Sequence, residues 1–188
     1  KTGYYGVVNC TSQKTICINI SFPSIHPRQQ KGNFGTRSVN MNVKFIIPQE
    51  TDLPELYDVE CRAHRYPWSY QLLASNFGDR YINGALCLDG KIIGFYIADS
   101  LLDESTLMNI CVDPAWQGHG YGKLLLNHYL TQTTTQGCTQ WWLEVRLSNT
   151  TAQNLYLQLG YQQAGVRKNY YKSGDHHEDA LVMQRVLA

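Results

Sequence analysis

No two of the six cysteines, Cys10, Cys17, Cys61, Cys87, Cys111 and Cys138, form a Cys-x-x-Cys pair. Their scatter lacks the ligand spacing of a zinc ribbon or a dithiol motif, and several sit inside apolar runs as small hydrophobes do. Reduced thiols and no metal are expected. Also missing is a run of about twenty apolar residues, the length that spans a bilayer. No basic, apolar, small-residue leader opens the chain. A soluble, cytoplasmic protein without a membrane partner is the expectation. Charge of one sign is scarce as well: 16 Lys and Arg face 15 Asp and Glu, for a net of +1. The imbalance is local. Residues 1–40 hold Lys1, Lys14, Arg28, Lys31 and Arg37 and no acid, which leaves 11 basic against 15 acidic residues beyond, a net of −4. An acidic body suits a basic partner, and plain solubility accounts for it equally.

The first forty residues carry Gly, Ser, Asn and Pro throughout and show no sustained periodicity, whereas Met41 opens an alternation of Val43, Phe45 and Ile47. Residues 1–40 therefore read as an unstructured or non-native N-terminal extension, and residues 41–188 as one domain. The extension lacks the dense Arg/Lys pattern and stacking aromatics of an RNA-binding arm, so no direct nucleic acid contact is required. At 188 residues and 43% hydrophobic content, one core and a monomer are expected.

After the first strand, Asp52-Leu53-Pro54-Glu55 opens a helix that runs to about His64, with Asp52 as cap and Glu55 completing a capping box. A short helix follows Ser69. Strands Tyr81 to Leu88 and Lys91 to Asp99 flank Asp89-Gly90, a hairpin signal. A strand over 105–112, a helix over 120–134, a strand over 140–146 and a helix over 149–159 come next. Strands over 161–168 and 180–187 finish the chain, leaving His176-His177 in a solvated turn without metal partners. This order predicts an α/β fold with a mixed sheet and helices on both faces, its ligands at the strand C-terminal ends.

The most informative stretch is Gln117-Gly118-His119-Gly120-Tyr121-Gly122-Lys123, where an apolar strand ending in Asp113-Pro114 hands over to a helix. A helix start offers unpaired N–H groups and a positive dipole end, and glycines let phosphate oxygens reach the backbone. The glycine spacing fits neither a Walker loop, since Leu124 follows Lys123, nor a Gly-x-Gly-x-x-Gly dinucleotide turn. Downstream, Trp142, Glu144 and Arg146 share one strand face and Trp141, Leu143 and Val145 the other. Buried and unpaired, Glu144 would be a base working near neutrality; otherwise it forms a salt bridge with Arg146 or another cation. Tyr156 lies on the inward stripe of the next helix, either as core packing or as a proton donor. Asn149 is an N-cap, a ligand contact, or both.

The Gln-x-x-Gly-x-Gly turn after Val-Asp-Pro resembles the acetyl-CoA pyrophosphate loop of the GNAT acetyltransferases. The likeness sharpens to the RimI group through Arg62-Ala63-His64, Pro67-Trp68-Ser69, Asn109 to Pro114, Trp142 to Arg146, Ser148-Asn149, Leu155-Tyr156, Asn169-Tyr170-Tyr171 and Glu178-Asp179-Ala180. It covers residues 41–188, and its departure is His119-Gly120-Tyr121, where the family often has a basic and a smaller apolar residue. The resemblance implies a GNAT fold with a mostly antiparallel sheet and acetyl-CoA as co-substrate. Glu144 would be general base and Tyr156 general acid. Ile110, Cys111 and Val112 would pair with pantetheine, the residues from Gln117 to Lys123 would hold the pyrophosphate, and Asn149 would touch the cofactor. Pro67, Trp68, Tyr170 and Tyr171 would meet the acceptor. That acceptor would be the N-terminal alanine of the basic small-subunit ribosomal protein number eighteen, acetylated by direct transfer. An acetyltransferase of lysines or small amines shares the cofactor half, and an idle acyl-CoA-binding module is the alternative of another class.

Overall fold

The structure, a computed structural model, describes residues 42–187. The expectation of an extension over residues 1–40 lies outside the described residues. The domain orders β1 (Val43–Ile46), α1 (Leu53–Ala63), α2 (Tyr70–Ala74), β2 (Tyr81–Leu88), β3 (Lys91–Leu101) and β4 (Glu104–Val112). Then come α3 (Tyr121–Thr135), β5 (Gln140–Arg146), α4 (Thr150–Gln158), β6 (Gln162–Ser173) and β7 (His176–Val186). The strands form one sheet in the order β1-β2-β3-β4-β5-β7-β6. Every pairing is antiparallel except β4 with β5.

Helices cover both faces. On one, Leu53, Leu56 and Val59 of α1 and Leu73 of α2 pack on Phe95, Ile97 and Cys111. On the other, Leu125, Leu126 and Tyr129 of α3 and Tyr156 of α4 pack on Tyr96, Trp141 and Leu143. β3 is consequently buried from Ile92 to Ala98 without alternation, as a strand covered on both sides must be. The β2–β3 hairpin turns through Asp89 (φ 48°) and Gly90 (φ 86°), the two positive-φ residues that match strand twist.

Three local expectations need correction. Asp52 does not cap α1 with its side chain; its Oδ2 accepts from the Gln49 backbone at 2.8 Å, closing a capping box on the preceding 3-10 turn. Glu55 instead accepts the Ile92 backbone N–H at 2.9 Å, tying α1 to the sheet. The last two strands are longer than expected, and His176-His177 belongs to β7, where it pairs with Ser173 and Lys172. Gly174, at φ +63°, lets the chain reverse in a tight turn, so no loop is needed there.

Two features of β4 open the sheet. Between Ile97 and Ala98 of β3 the β4 partners jump from Asn109 to Leu107, so Met108 is an extra residue. Such a bulge reverses which side chains face which layer. Leu107 belongs to the α3 core, whereas Cys111 lies in the α1 core and Asn109 reaches Glu60 of α1. Pairing with β5 then runs only from Glu104↔Gln140 to Leu107↔Leu143, although the strands continue to Val112 and Arg146. The two strand ends form the sides of a split in the sheet.

Candidate active site

On the β4 side the backbone shapes the site. Asp113 Oδ1 accepts from the Ala115 N–H at 2.9 Å, which turns the chain, while Oδ2 pairs with Arg62 of α1 at 2.7 Å. Gln117 reaches back to the Val112 carbonyl at 2.9 Å, and His119 Nδ1 lies 2.8 Å from the Gln117 carbonyl. These contacts hold the turn in shape. Gly118 (φ +77°) and Gly120 (φ +84°) take left-handed backbone, and a Cβ added at either would meet nothing within 4 Å. The space above the turn is open to a ligand. The Leu124 N–H to Gly120 carbonyl bond, 3.1 Å, is the first of α3, so the amides of Gly122 and Lys123 precede it at the positive helix end. The Tyr121 ring, by contrast, is buried beside Trp116. Cys111 faces the α1 core, where burial pushes its thiol well above the usual range, so only its backbone faces the split. The residues present fit a pyrophosphate with an extended arm along β4.

Across the split, Trp141, Leu143 and Val145 are buried and Trp142, Glu144 and Arg146 only partly so, the alternation that the sequence predicts. Glu144 is not left unpaired. Its Oε1 forms an ion pair with Arg167 of β6, not with Arg146, and Tyr170 lies beside the same carboxylate. That carboxylate, together with burial, raises the Tyr170 phenol above its ordinary value. Arg167 lies over the Tyr170 ring at 4.0 Å. The neighbouring Tyr171 donates to the Glu144 carbonyl at 3.1 Å, and burial above all pushes its phenol up to about 12.

Arg146 supports the far end. Its guanidinium lies over the rings of Tyr171 (4.4 Å) and Tyr66 (5.3 Å) and pairs with Glu178 at 3.1 Å. Glu178 also accepts the Ser148 N–H at 2.6 Å; the bond to Ser148 and the Arg146 charge hold its carboxyl below the usual range. Tyr66 comes from the connection between α1 and α2, so this cluster joins that connection to the β6–β7 hairpin. The same connection is pegged by buried Glu60, which accepts from the Trp68 N–H (2.9 Å) and Asn109 (3.0 Å). Glu60, His64 and Cys111 bring donor atoms within 4.8 Å of one another, a grouping that spacing did not reveal, but both Glu60 oxygens already have partners. Pro67 and Trp68 flank this peg, with Trp68 packed on the α1 core.

α4 places Tyr156. Asn149 caps the helix by accepting the Ala152 N–H at 3.1 Å, and Gln153 Nε2 donates to the Arg146 and Leu147 carbonyls, each at 2.9 Å. The helix start is thereby fastened to the end of β5. One turn on, Tyr156 is buried in the α3–α4 core, and that burial raises its phenol far above the usual range. Glu144 and Tyr156 lie on opposite faces of the sheet, Glu144 on the partly open face of β5 and Tyr156 in the core under α3 and α4.

The fold has close counterparts. A model of the acetyltransferase (GNAT) family matches residues 49–161. The chain belongs to the GNAT acetyltransferase family. Within this family it is 47% identical over 135 residues to the [ribosomal protein bS18]-alanine N-acetyltransferase of Escherichia coli (strain K12), spanning 72% of this chain and 91% of that protein. The Haemophilus influenzae protein of the same name is 45% identical over 70% of this chain and 90% of its own length. The crystal structure of the ribosomal-protein-S18-alanine N-acetyltransferase from Escherichia coli superposes with a TM-score of 0.75 at 43% identity, covering 78% of this chain and 94% of that one.

In this GNAT acetyltransferase the sequence reading missed Tyr66, Arg167 and Glu60. Arg167 lies 23 positions from Glu144, and no helical or strand period connects them. Glu60 carried the one available signal, an acidic residue among the inward positions of an apolar helix stripe, buried with Leu56 and Val59.

Proposed function

We propose that this chain transfers the acetyl group of acetyl-CoA directly to the α-amine of an N-terminal alanine on a basic ribosomal protein, as the names of its relatives state for them. It acts as a cytoplasmic monomer and needs no nucleic acid. The observation that carries the reading is the split itself, with an open glycine turn at the end of β4 and Glu144 on the facing strand. Acetyl-CoA supplies an activated thioester carbonyl.

The chain's own groups then divide the work. The turn from Gln117 to Lys123 holds the pyrophosphate through backbone amides and the helix end. The edge of β4 from Ile110 to Val112, beyond its pairing with β5, offers backbone partners to the pantetheine arm, with Asn149 at its side. Glu144 takes a proton from the acceptor ammonium, through a water. An α-amine with a pKa near 7.7–8.0 asks far less of such a base than a lysine amine near 10.4. Tyr156, kept protonated by burial, donates its hydrogen to the departing sulfur, whose anion is disfavoured by the same apolar surroundings. Pro67, Trp68, Tyr170 and Tyr171 line the acceptor's entrance.

The test is to give the full chain acetyl-CoA with peptides beginning Ala, Ser or Met, and with a blocked Ala peptide carrying an internal Lys. Mass spectrometry should find the acetyl group on the α-amine, fastest for Ala. Acetyl-lysine as the main product would overturn the reading.

A further inference from the structure

We propose that Arg167 is a positioning residue whose guanidinium, itself fixed by Tyr170 and by a break in β6, holds the Glu144 carboxylate in one orientation toward the acceptor. The inference rests on Glu144 being the base.

The geometry begins in the backbone. β6 pairs with β7 as Arg167↔Ala180 and next as Tyr171↔Glu178, so Lys168, Asn169 and Tyr170 face the single residue Asp179. Asn169 takes left-handed backbone (φ +54°), and its N–H donates to Asp179 Oδ1 at 2.9 Å, which pins the excursion. An uninterrupted strand would send Arg167 and Tyr170 to opposite faces, three positions apart; the added residues instead set the guanidinium over the Tyr170 ring at 4.0 Å.

The way across is clear as well. Arg146, Ala180 and Arg167 are aligned on adjacent strands, and Ala180 is fully buried. Its methyl leaves room for Arg167 to pass diagonally over β7 to Glu144, two residues before Arg146. Gly165, opposite Val182, adds no side chain to that path.

The result is a carboxylate bound on one oxygen by a guanidinium that is itself seated on the Tyr170 ring. A glutamate on a partly open face would otherwise sample several rotamers, and a base must lie within hydrogen-bond reach of the proton it takes. In this role Arg167 acts through Glu144, the group its guanidinium pairs with. Its side chain is about half exposed, at 53%, so replacing it removes an ion pair rather than core packing.

The test compares Arg167→Ala and Arg167→Lys with the unaltered chain at saturating acetyl-CoA. Arg167→Ala should lower kcat on the order of tenfold to a hundredfold, the scale for a misplaced catalytic group, with acetyl-CoA affinity by calorimetry unchanged. Arg167→Lys should recover part of that loss. Added guanidinium at a non-denaturing concentration should restore part of the Arg167→Ala rate, whereas sodium chloride at equal ionic strength should not. In a Glu144→Gln background, Arg167→Ala should cost nothing further. An unchanged kcat, a loss that neither Lys nor guanidinium repairs, or an equal loss with and without the Glu144 carboxylate would each overturn the proposal. Full turnover in Glu144→Gln alone would instead remove the reading of Glu144 as base.

Discussion

Between Ile110 and Lys123 the chain makes its side of the split from backbone, with two left-handed glycines, a helix start and a strand edge unpaired with β5 within fourteen successive residues. Across the split the surface is made from side chains gathered along the chain, with Tyr66 from the α1–α2 connection, Glu144 and Arg146 from β5, Arg167 to Tyr171 from β6 and Glu178 from β7. A surface of amides recognises a constant group such as a pyrophosphate, and one of ion pairs and rings can be retuned residue by residue. The two halves should therefore fail differently: the first in cofactor affinity, the second in turnover and acceptor choice.

The largest expected effect tests the second half. Glu144→Gln should slow turnover by about a hundredfold or more, the scale of a lost general base, with acetyl-CoA affinity intact. Wild-type kcat at saturating substrates would remove Glu144 from that role and erase the division. Gly120→Val should produce the opposite signature. A branched residue at φ +84° is strained by about 1–2 kcal/mol, and its side chain fills the space above the turn, so acetyl-CoA affinity should fall at least tenfold while kcat at saturation stays close to normal. A folded Gly120→Val protein with normal calorimetric affinity would contradict the loop assignment.

This division also explains what could be read in advance. The glycine turn, the hairpin at Asp89-Gly90, the Asn149 cap and the alternation of β5 depend on residues within a few positions of one another, where sequence spacing carries the physics. The Arg167 pair with Glu144 depends on β7 lying between β5 and β6 and on irregularities in β6, and the Tyr66 contact with Arg146 on the α1–α2 connection reaching the end of β5, none of which a local pattern encodes. The same irregularities hid the length of β6, because its alternation is broken near Gly165 and again after Arg167.

Tyr156, fixed by α4 in the core, is the proposed acid. Tyr156→Phe should reduce kcat by about tenfold or more with no loss of acetyl-CoA affinity, since only the hydroxyl leaves a ring that still fills its place. If turnover survives, the residue is core packing and the acid lies elsewhere. A smaller effect separates stability from catalysis. His128 of α3 stacks on Phe45 at 3.8 Å and contacts the Tyr96 hydroxyl at 3.0 Å, and burial lowers its pKa to about 4. The unfolded chain binds that proton near 6.5, so stability should decline as pH falls from about 6.5 toward 4. After allowance for partial exposure the loss is about 1–2 kcal/mol. Thermal melts of His128→Phe should lack that part of the slope.

The weakest expected effect concerns capture of the acceptor. Two cations beside Glu144 are already paired, Arg167 with Glu144 itself and Arg146 with Glu178, so neither leaves a net positive field there. Beyond position 40 the surplus of four acidic residues sets the potential of the domain itself, apart from the five basic residues before it, and in a chain lacking residues 1–40 it should draw in a peptide whose N-terminal alanine is followed by basic residues. At physiological salt that attraction is screened within roughly 8 Å, so raising ionic strength should increase the KM for such a peptide by about twofold to threefold and leave kcat unchanged. A neutral peptide of the same length should show no change. If both peptides respond alike, or if kcat moves instead of KM, the charge of the body plays no part in capture and the acceptor half recognises its substrate by contact alone.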